Sequence, residues 1–430
     1  MKKIAILLLS LVLLFSFVAC NQQAAAPVVE VTTEPPAPTA TIEVIEEVED
    51  EIVQEPTEVI VEEVVTEEVE ETSDHFTDKV EIEYANGFTV EYFDTYKVVT
   101  VLTPWDFATE TFQYVLVQDG SEAPQGFDQA TFVTIPIQTI APLSTTFIPF
   151  LDLYGLMDSV VAVSDGVYVT NQTILDKVAD GLPQVGYGSG VDIETLLLLE
   201  PDVIMTNGYG FPDYDAHPVL INAGLTVVIN GDYMENTPLG RAEWGKFIAV
   251  FYNQEAIANQ LFDETVASYN QWQTAVADVS DKPTVFLNTP FEGTWYVPGG
   301  NSYMANFIND AGGAYLWADE PSVGTLYLGF EDVVAKAAED GQIWLHPGGF
   351  NFSAQDLLNE DERFAEFSAF QNGALYNNNK ALTAAGGNDF FESGIAHPDV
   401  ILADLIAFFH PDIMAEIDPD YQTTYYQVLP

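Results

Sequence analysis

The sequence predicts an α/β fold of two lobes, each built on a mostly parallel sheet, with a long helix joining the lobes. Three observations lead to this prediction. From about residue 97, short runs of β-branched and aromatic residues alternate with helical segments. A stretch of roughly 35 residues from Pro238 then has helical apolar spacing, contains only two glycines, Gly240 and Gly245, and is interpreted as one or two long helices. The alternation restarts at Thr284 and continues to a last helix that begins at Pro398.

The order of these elements sets the predicted boundaries. The first lobe spans 79–238, the linking helix 239–279 and the second lobe 280–430, and both lobes are expected to be Rossmann-like. Strands are predicted at 98–102, 132–137, 160–163, 203–205, 225–229, 284–287 and 343–345. Helices outside the linker are predicted at 148–156, 193–199, 219–223, 304–310, 331–338 and 398–409.

The first residues have the features of an export signal, predicted at 1–19. Two lysines precede an apolar run that is too short for a membrane span, which needs about 20 apolar residues. Residues 17–20 resemble a bacterial lipobox, which implies acylation of Cys20 and a lipid anchor in the membrane. The alternative is an ordinary signal peptide with a chance cysteine. Cys20 is the only cysteine, so neither a disulfide nor a cysteine-based metal site can form.

A disordered acidic tether is predicted at 20–78. Residues 22–74 contain seventeen Asp or Glu and no Lys or Arg, and charge of one sign keeps such a segment extended. The acidity continues in residues 75–430, which hold 50 acidic and 9 basic side chains. This charge repels nucleic acid and anionic lipid surfaces, so nucleic acid is not an expected partner.

Four segments resemble those of the class III periplasmic binding proteins, the family of ferric-siderophore and cobalamin receptors. The first runs from an acid through a leucine-rich helix to Pro201, Asp202 and an apolar strand. The second resembles the start of the family's helix between lobes, and the other two resemble elements near its C-terminus. The residues before about 140 match less clearly. The four segments are 192–204, 239–244, 361–373 and 397–411.

The resemblance implies a lipid-anchored, extracytoplasmic solute-binding protein that captures a metal chelate between its lobes and delivers it to an ABC importer. Such a protein is expected to be monomeric, to lie in the cell envelope and to have neither catalytic residues nor a cofactor. The resemblance also implies that one acid on each lobe, Glu194 and Glu331, docks on basic residues of the permease. Alternatively, the helix dipole alone favours an acid in the first turn of a helix.

Candidate ligand-binding residues follow the predicted strands, because ligands bind near the carboxyl ends of strands. Trp295 and Tyr296 are the leading pair, since they lie in a segment framed by glycine and proline that is expected to be a loop. Aromatic faces suit a large planar or chelated ligand, although core packing explains any single aromatic equally well. The candidates are Ser144, Thr145, Asp165, Tyr187, Tyr209, Trp295, Tyr296, Trp317, His346 and Asn351.

The scarcity of arginine bears on the charge of the ligand. The chain has two arginines, Arg241 at the head of the linking helix and Arg363 in a charged helix. A receptor for an anionic catecholate or citrate chelate is expected to hold its ligand with arginine. A neutral or cationic chelate, such as a hydroxamate siderophore or a corrinoid, is therefore the favoured ligand.

Other functions stay open at this point. A free-metal or haem receptor would need suitable ligands, and of the five histidines His217 and His346 could face one cleft. A cell-surface enzyme is another alternative, although the chain lacks Gly-x-x-x-x-Gly-Lys, His-Glu-x-x-His and Gly-x-Ser-x-Gly motifs. The glycine-rich segment 186–190 is interpreted as a cleft loop. An adhesin on the same fold would not need Glu194 or Glu331.

Overall fold

The computed structural model describes residues 74–346 and 353–430. The predicted signal peptide, Cys20, residues 20–73 of the tether and Asn351 lie outside the described residues. The strands are β1 Phe88–Tyr92, β2 Tyr96–Val101, β3 Phe112–Gln118, β4 Thr131–Ile135, β5 Ile140–Pro142, β6 Val203–Thr206, β7 Val227–Ile229, β8 Thr284–Leu287, β9 Pro290–Phe291, β10 Thr294–Pro298, β11 Ala314–Tyr315, β12 Thr325–Gly329, β13 Ile343–Leu345, β14 Leu375–Asn377 and β15 Gln427–Val428. The helices are α1 Ile148–Leu153, α2 Gln172–Ala179, α3 Ile193–Leu199, α4 His217–Asn222, α5 Pro238–Ala249, α6 Glu255–Ala275, α7 Tyr303–Asp310, α8 Phe330–Ala337, α9 Ala354–Glu360, α10 Ser368–Gln371, α11 Ser393–Ala396, α12 Pro398–Phe409 and α13 Pro411–Ile417.

The first lobe contains two sheets. Strands β5, β6 and β7 form a parallel sheet in that order, as a Rossmann-like unit requires. Strands β1 to β4 form a second sheet, in which β1, β2 and β3 are antiparallel and only β3 and β4 are parallel. The antiparallel part departs from the predicted pattern because β1 and β2 are joined by a three-residue turn, and parallel strands need a long crossover. The predicted strand at 160–163 forms only isolated bridges, from Val160 to Ile140 and from Val163 to Gln184.

The second lobe is built on a five-stranded sheet in the order β11-β8-β13-β14-β15. All of its neighbours are parallel except β14 and β15. A separate antiparallel sheet contains β9, β10 and β12. The mixed α/β architecture with parallel sheets and many helices confirms the predicted fold class. In the described ranges, no helix is both long enough and apolar enough to cross a bilayer.

The linker between the lobes consists of two helices, α5 and α6. Thr237 caps α5 by accepting a hydrogen bond from the Gly240 N–H at 3.1 Å, and Pro238 occupies the first turn. The chain turns after α5, where Asn253 has a left-handed φ of 54°. All residues of α5 except Arg241 are buried, so this helix lies inside the core.

Helix α5 packs mainly in the core of the first lobe, with only its Leu239 in that of the second, whereas α6 packs in the core of the second lobe. Trp244 and Phe247 of α5 pack with Phe88 in the core of the first lobe. Tyr269 of α6 packs with Phe307 in the core of the second lobe. Helix α11, which follows the second-lobe sheet in sequence, returns to the first-lobe core. Because α11 comes from the second lobe and packs in the first-lobe core, a large hinge motion between the lobes would have to break this packing.

Candidate functional site

The carboxyl ends of β5, β6 and β7 lie at one edge of the first-lobe parallel sheet. After β5, the Ser144 hydroxyl lies 3.0 Å from the Thr146 hydroxyl and accepts the Thr146 N–H at 3.4 Å, with Thr145 half-buried between them. After β6, the ring of Tyr209 packs against that of Tyr233, which follows β7, with centroids 5.4 Å apart. The structure therefore brings three predicted candidates, Ser144, Thr145 and Tyr209, to the same edge.

Asp232 follows β7 and is the most enclosed acid at this edge, with 1% of its surface exposed. Its Oδ1 accepts hydrogen bonds from the Asn207 Nδ2 at 3.0 Å and from the Tyr233 N–H at 2.8 Å. Its Oδ2 has no hydrogen-bond partner among the described residues. Burial raises the pKa of Asp232, while the Thr146 hydroxyl and the charge of Arg241 oppose that shift.

Arg241, in the first turn of α5, connects this edge to the second lobe. Its Nη2 donates to the carbonyls of Tyr233 at 2.8 Å and Glu235 at 3.0 Å, and its guanidinium lies 3.8 Å from the ring centroid of Tyr303. Within residues 74–346 and 353–430, neither the Arg241 Nε nor the Tyr303 hydroxyl has a hydrogen-bond partner. The charge of Arg241 lowers the pKa of Asp232, and burial raises the pKa of Tyr303, on which Arg241 and Asp232 also act, so the three groups lie within electrostatic reach. We call them the inter-lobe triad.

The second-lobe side continues from Tyr303 towards β13. Burial raises the pKa of Tyr426, and Asp404 and Tyr303 add to the shift, so Tyr303 lies within electrostatic reach of Tyr426. The Tyr426 hydroxyl is 2.8 Å from the His346 Nε2. The His346 and Tyr426 rings stack with centroids 5.6 Å apart. Burial lowers the pKa of His346 to about 4, so this predicted candidate is a neutral imidazole at neutral pH.

Two predicted candidates of the first lobe lie together around Tyr168. Burial raises the pKa of Tyr168, and the nearby Tyr187 and Asp165 add to the shift. Tyr187 is 52% exposed, so its ring is available to a ligand. No contact between this group and the inter-lobe triad is observed in the described part of the chain. Asp165 and Tyr187 therefore form a separate patch of the first lobe.

The structure corrects the predictions for Trp295 and Trp317. The segment 293–300 is not a loop, because residues 294–298 form β10, and its alternation turns Trp295 inward. Trp295 is fully buried, donates its indole N–H to the Leu287 carbonyl at 2.8 Å and packs in the second-lobe core. Trp317 is 5% exposed and belongs to the same core. Tyr296 points the other way and forms an edge-to-face pair with Tyr327, with centroids 5.4 Å apart.

The two predicted docking acids are exposed and occupy corresponding positions. Glu194 lies in the first turn of α3, which leads to β6, and Glu331 lies in the first turn of α8, which leads to β13. Glu331 already accepts a hydrogen bond from the Arg363 Nη1 at 3.0 Å. A basic partner residue would therefore compete with Arg363 for Glu331, whereas Glu194 forms no ion pair with the described part of the chain.

A second contact between lobes surrounds Glu392, which is 2% exposed. Its carboxylate accepts the N–H groups of Thr170 at 2.8 Å and Asn171 at 2.7 Å, and Asp389 accepts the Thr170 hydroxyl at 2.6 Å. Burial raises the pKa of Glu392 to about 7, against the lowering effect of the two N–H donors. A cavity of about 460 Å³ lies beside this contact and is also lined by His397. The contact ties α2 to the second lobe.

The histidines considered as metal ligands lie in different surroundings. His217 is 7% exposed and stacks on Trp105 at a centroid distance of 5.3 Å, whereas His346 binds Tyr426. Among the described residues, no group of three or more His, Cys, Asp or Glu side chains is arranged to hold a metal ion. The described site therefore offers hydrogen-bonding groups and aromatic faces.

The inter-lobe triad was absent from the residues chosen by sequence. Asp232 follows the predicted strand at 225–229, so the strand-end rule that selected Tyr209 could also have selected Asp232. Arg241 was recognised only as the head of the linking helix, because its contact with Tyr303 joins residues far apart in sequence. Tyr303 itself lies in the first turn of α7, and its neighbours carry no distinguishing motif.

Comparisons with known proteins agree with this architecture. The model of a family described as "Periplasmic binding protein" matches residues 140–381. An uncharacterized lipoprotein of Methanocaldococcus jannaschii is 24% identical over 298 residues, which cover 66% of this chain and 68% of the relative. A possible iron-binding, periplasmic solute-binding protein from Staphylococcus epidermidis superposes with a TM-score of 0.51 and 18% identity, over 64% of this chain and 99% of that one. CeuE from Helicobacter pylori, in a complex with nickel and histidine, gives a TM-score of 0.51 and 16% identity, over 67% and 88% of the two chains. At these identities the solved structures establish likeness of fold.

Proposed function

Because this chain belongs to the periplasmic binding protein family, we propose that it captures a metal chelate between its two lobes and delivers it to an ABC importer. The family consists of solute-binding proteins that serve ABC importers, so the finer proposal concerns the ligand, the site and the anchor. We assign the ligand to the class of neutral or cationic chelates, namely hydroxamate siderophores and cobalamin. Acylated Cys20 would hold the protein on the extracytoplasmic face of the membrane, with residues 20–78 as the spacer.

The inter-lobe triad is the observation that carries this proposal. Its members come from a first-lobe loop, the linker and a second-lobe helix. Each has one buried polar atom without a hydrogen-bond partner in residues 74–346 and 353–430. An unpaired buried polar group costs about 1–3 kcal/mol, so three such groups at one interface favour a site completed by a polar ligand. Among the similar proteins, one solved structure is described as possibly iron-binding, which supports a ligand that contains iron.

The charge of the site supports a ligand without net negative charge. Arg241 is the only arginine of the triad, and the carboxylate of Asp232 lies within its electrostatic reach. The other arginine, Arg363, is paired with Asp361 at 2.6 Å and with Glu331 at 3.0 Å. The arginine charge available to an anionic chelate is therefore largely neutralised before the ligand arrives.

Calorimetric titration of residues 75–430 tests the proposal directly. We expect saturable binding of ferric hydroxamate siderophores or of cobalamin with a dissociation constant of about 1 µM or below, which corresponds to about −8 kcal/mol. Ferric citrate and free Fe³⁺, Zn²⁺ and haem are the comparison ligands. Tight binding of a free ion or of haem, with none of the two proposed chelates, would replace this function with that of a metal or haem receptor.

Docking on the permease is a further part of the proposal, with Glu194 and Glu331 as the contacting acids. Cells that produce the full chain with Glu194→Lys are expected to lose at least about tenfold in chelate uptake, because a charge reversal at a protein interface costs more than 1.4 kcal/mol. Binding of the chelate by the purified variant should stay unchanged. Glu339→Lys, at an exposed acid later in the same lobe as Glu331, is the control for net charge. Unchanged uptake with Glu194→Lys and Glu331→Lys would remove these residues from the docking surface and favour an adhesin.

A further inference from the structure

The three atoms of the inter-lobe triad have complementary hydrogen-bonding capacities. The Asp232 Oδ2 is an acceptor, the Arg241 Nε–H is a donor, and the Tyr303 hydroxyl is able to donate. Each of these atoms is buried and lacks a hydrogen-bond partner in the described ranges of the chain. The groups belong to three different elements, so their proximity is a property of the lobe interface.

The surrounding contacts hold both charged groups in place. Asn207 and the backbone of Tyr233 bind the Asp232 Oδ1 and so orient its Oδ2. The carbonyls of Tyr233 and Glu235 bind the Arg241 Nη2, and the ring of Tyr303 supports the guanidinium plane. A ligand that bound here would therefore meet an acceptor and a donor whose positions are already set.

We propose that the inter-lobe site holds its ligand through a carboxamide, or an equivalent group with an N–H and a C=O side by side. The N–H is donated to Asp232, and the C=O accepts from Arg241 and Tyr303. This inference rests on the proposed function, and it assigns the ligand chemistry that the function alone leaves undefined. The carboxamide satisfies an acceptor and a donor with one neutral group.

Charged groups fit the triad less well. A ligand carboxylate would approach the buried Oδ2 of Asp232 with like charge, and a ligand ammonium would approach the guanidinium of Arg241. Either arrangement leaves one buried charge facing another of the same sign, and such pairs disfavour binding. A ketone or ether would satisfy Arg241 but would leave Asp232 without a donor.

The test uses the full chain in detergent, titrated calorimetrically at pH 7.5. The probes are cobalamin, whose corrin ring carries carboxamide side chains, ferrichrome, a hydroxamate chelate with peptide amides, and ferric citrate, which is anionic. The variants are Asp232→Asn, which replaces the acceptor by a donor, and Tyr303→Phe, which removes only a hydroxyl. Asp180→Asn makes the same charge change at an exposed position and is the control. Melting temperatures identify any variant that fails to fold.

We expect an amide-bearing probe to bind, Asp232→Asn to weaken it by about tenfold or more and Tyr303→Phe by about fivefold, while Asp180→Asn has no effect. The inference would be overturned if Asp232→Asn bound ferric citrate more tightly than the original chain binds cobalamin or ferrichrome. That result would show an anion site. Unchanged affinity in Asp232→Asn and Tyr303→Phe would also overturn it, and would leave the chelate-binding function standing. Failure of the original chain to bind any of the three probes would remove both proposals together.

Discussion

Replacement of Trp295 by alanine is expected to lower the free energy of unfolding by about 4 kcal/mol, since Phe or Trp to Ala changes in cores cost about 3–5 kcal/mol. The side chain is fully buried and packs against Phe286 and Trp344, with ring centroids 6.4 and 5.9 Å away. Its indole N–H also donates to the Leu287 carbonyl, which would lose this partner. Denaturant unfolding of residues 74–430, followed by circular dichroism, measures the effect.

The neighbouring Tyr296→Ala variant is the matched control. Tyr296 lies on the opposite face of β10, and its main side-chain contact is the edge-to-face pair with Tyr327. Loss of this pair is expected to cost no more than about 1.5 kcal/mol. If Trp295→Ala unfolds at the same denaturant concentration as the original chain but binds chelate more weakly, then Trp295 acts in the cleft and its assignment to the core is wrong.

The second large effect is expected at the buried ion pair between Lys97 of β2 and Glu255 of α6. The Lys97 ammonium donates to the Val250 carbonyl at 2.8 Å, to the Asn253 Oδ1 at 2.7 Å and to the Glu255 carboxylate. Lys97→Met removes all three bonds and leaves a carboxylate that is 4% exposed without its counter-charge. We expect a loss of about 3–5 kcal/mol in the free energy of unfolding, measured by denaturant titration.

The double variant Lys97→Met/Glu255→Met separates the ion pair from its surroundings. Because it leaves no unpaired charge, it is expected to recover more than half of the loss, as replacement of buried ion pairs by apolar residues is often neutral. Lys79→Met is the control at an exposed pair, in which Lys79 and Asp74 are each 45% exposed, and it should cost less than about 1 kcal/mol. A loss in Lys97→Met as small as that in Lys79→Met would mean that water reaches the turn between α5 and α6.

Much of the fold could be predicted because it depends on local sequence patterns. The apolar runs of β6, β7, β8 and β13 and the amphipathic spacing of the helices need only neighbouring residues to be recognised. The relative direction of the strands was harder to predict, since the antiparallel pairing of β1, β2 and β3 depends on the length of the turns between them. The break between α5 and α6 was also hidden, because the sequence there contains neither glycine nor proline and the turn occurs at Asn253.

The residues of the candidate site were also predictable only in part. The rule that ligands meet the ends of parallel strands found Ser144 and Tyr209, and it would have reached Asp232 if applied after β7. It misplaced Trp295, because glycine and proline at both ends of β10 gave a short strand the composition of a loop. The partnership of Arg241 with Tyr303 spans two elements, and nothing in either local sequence indicates it.

The family, the α/β alternation and the strongly acidic composition were predictable from the sequence alone, because motifs, periodicity and charge are properties of neighbouring residues or of the whole composition. Which aromatic side chains lie in the core and which lie near the triad could be read only from the folded chain. The same holds for the proximity of Asp232, Arg241 and Tyr303. Burial and hydrogen bonding depend on which distant segments pack together, so one aromatic side chain, Trp295, lies in the core and another, Tyr209, lies beside the triad.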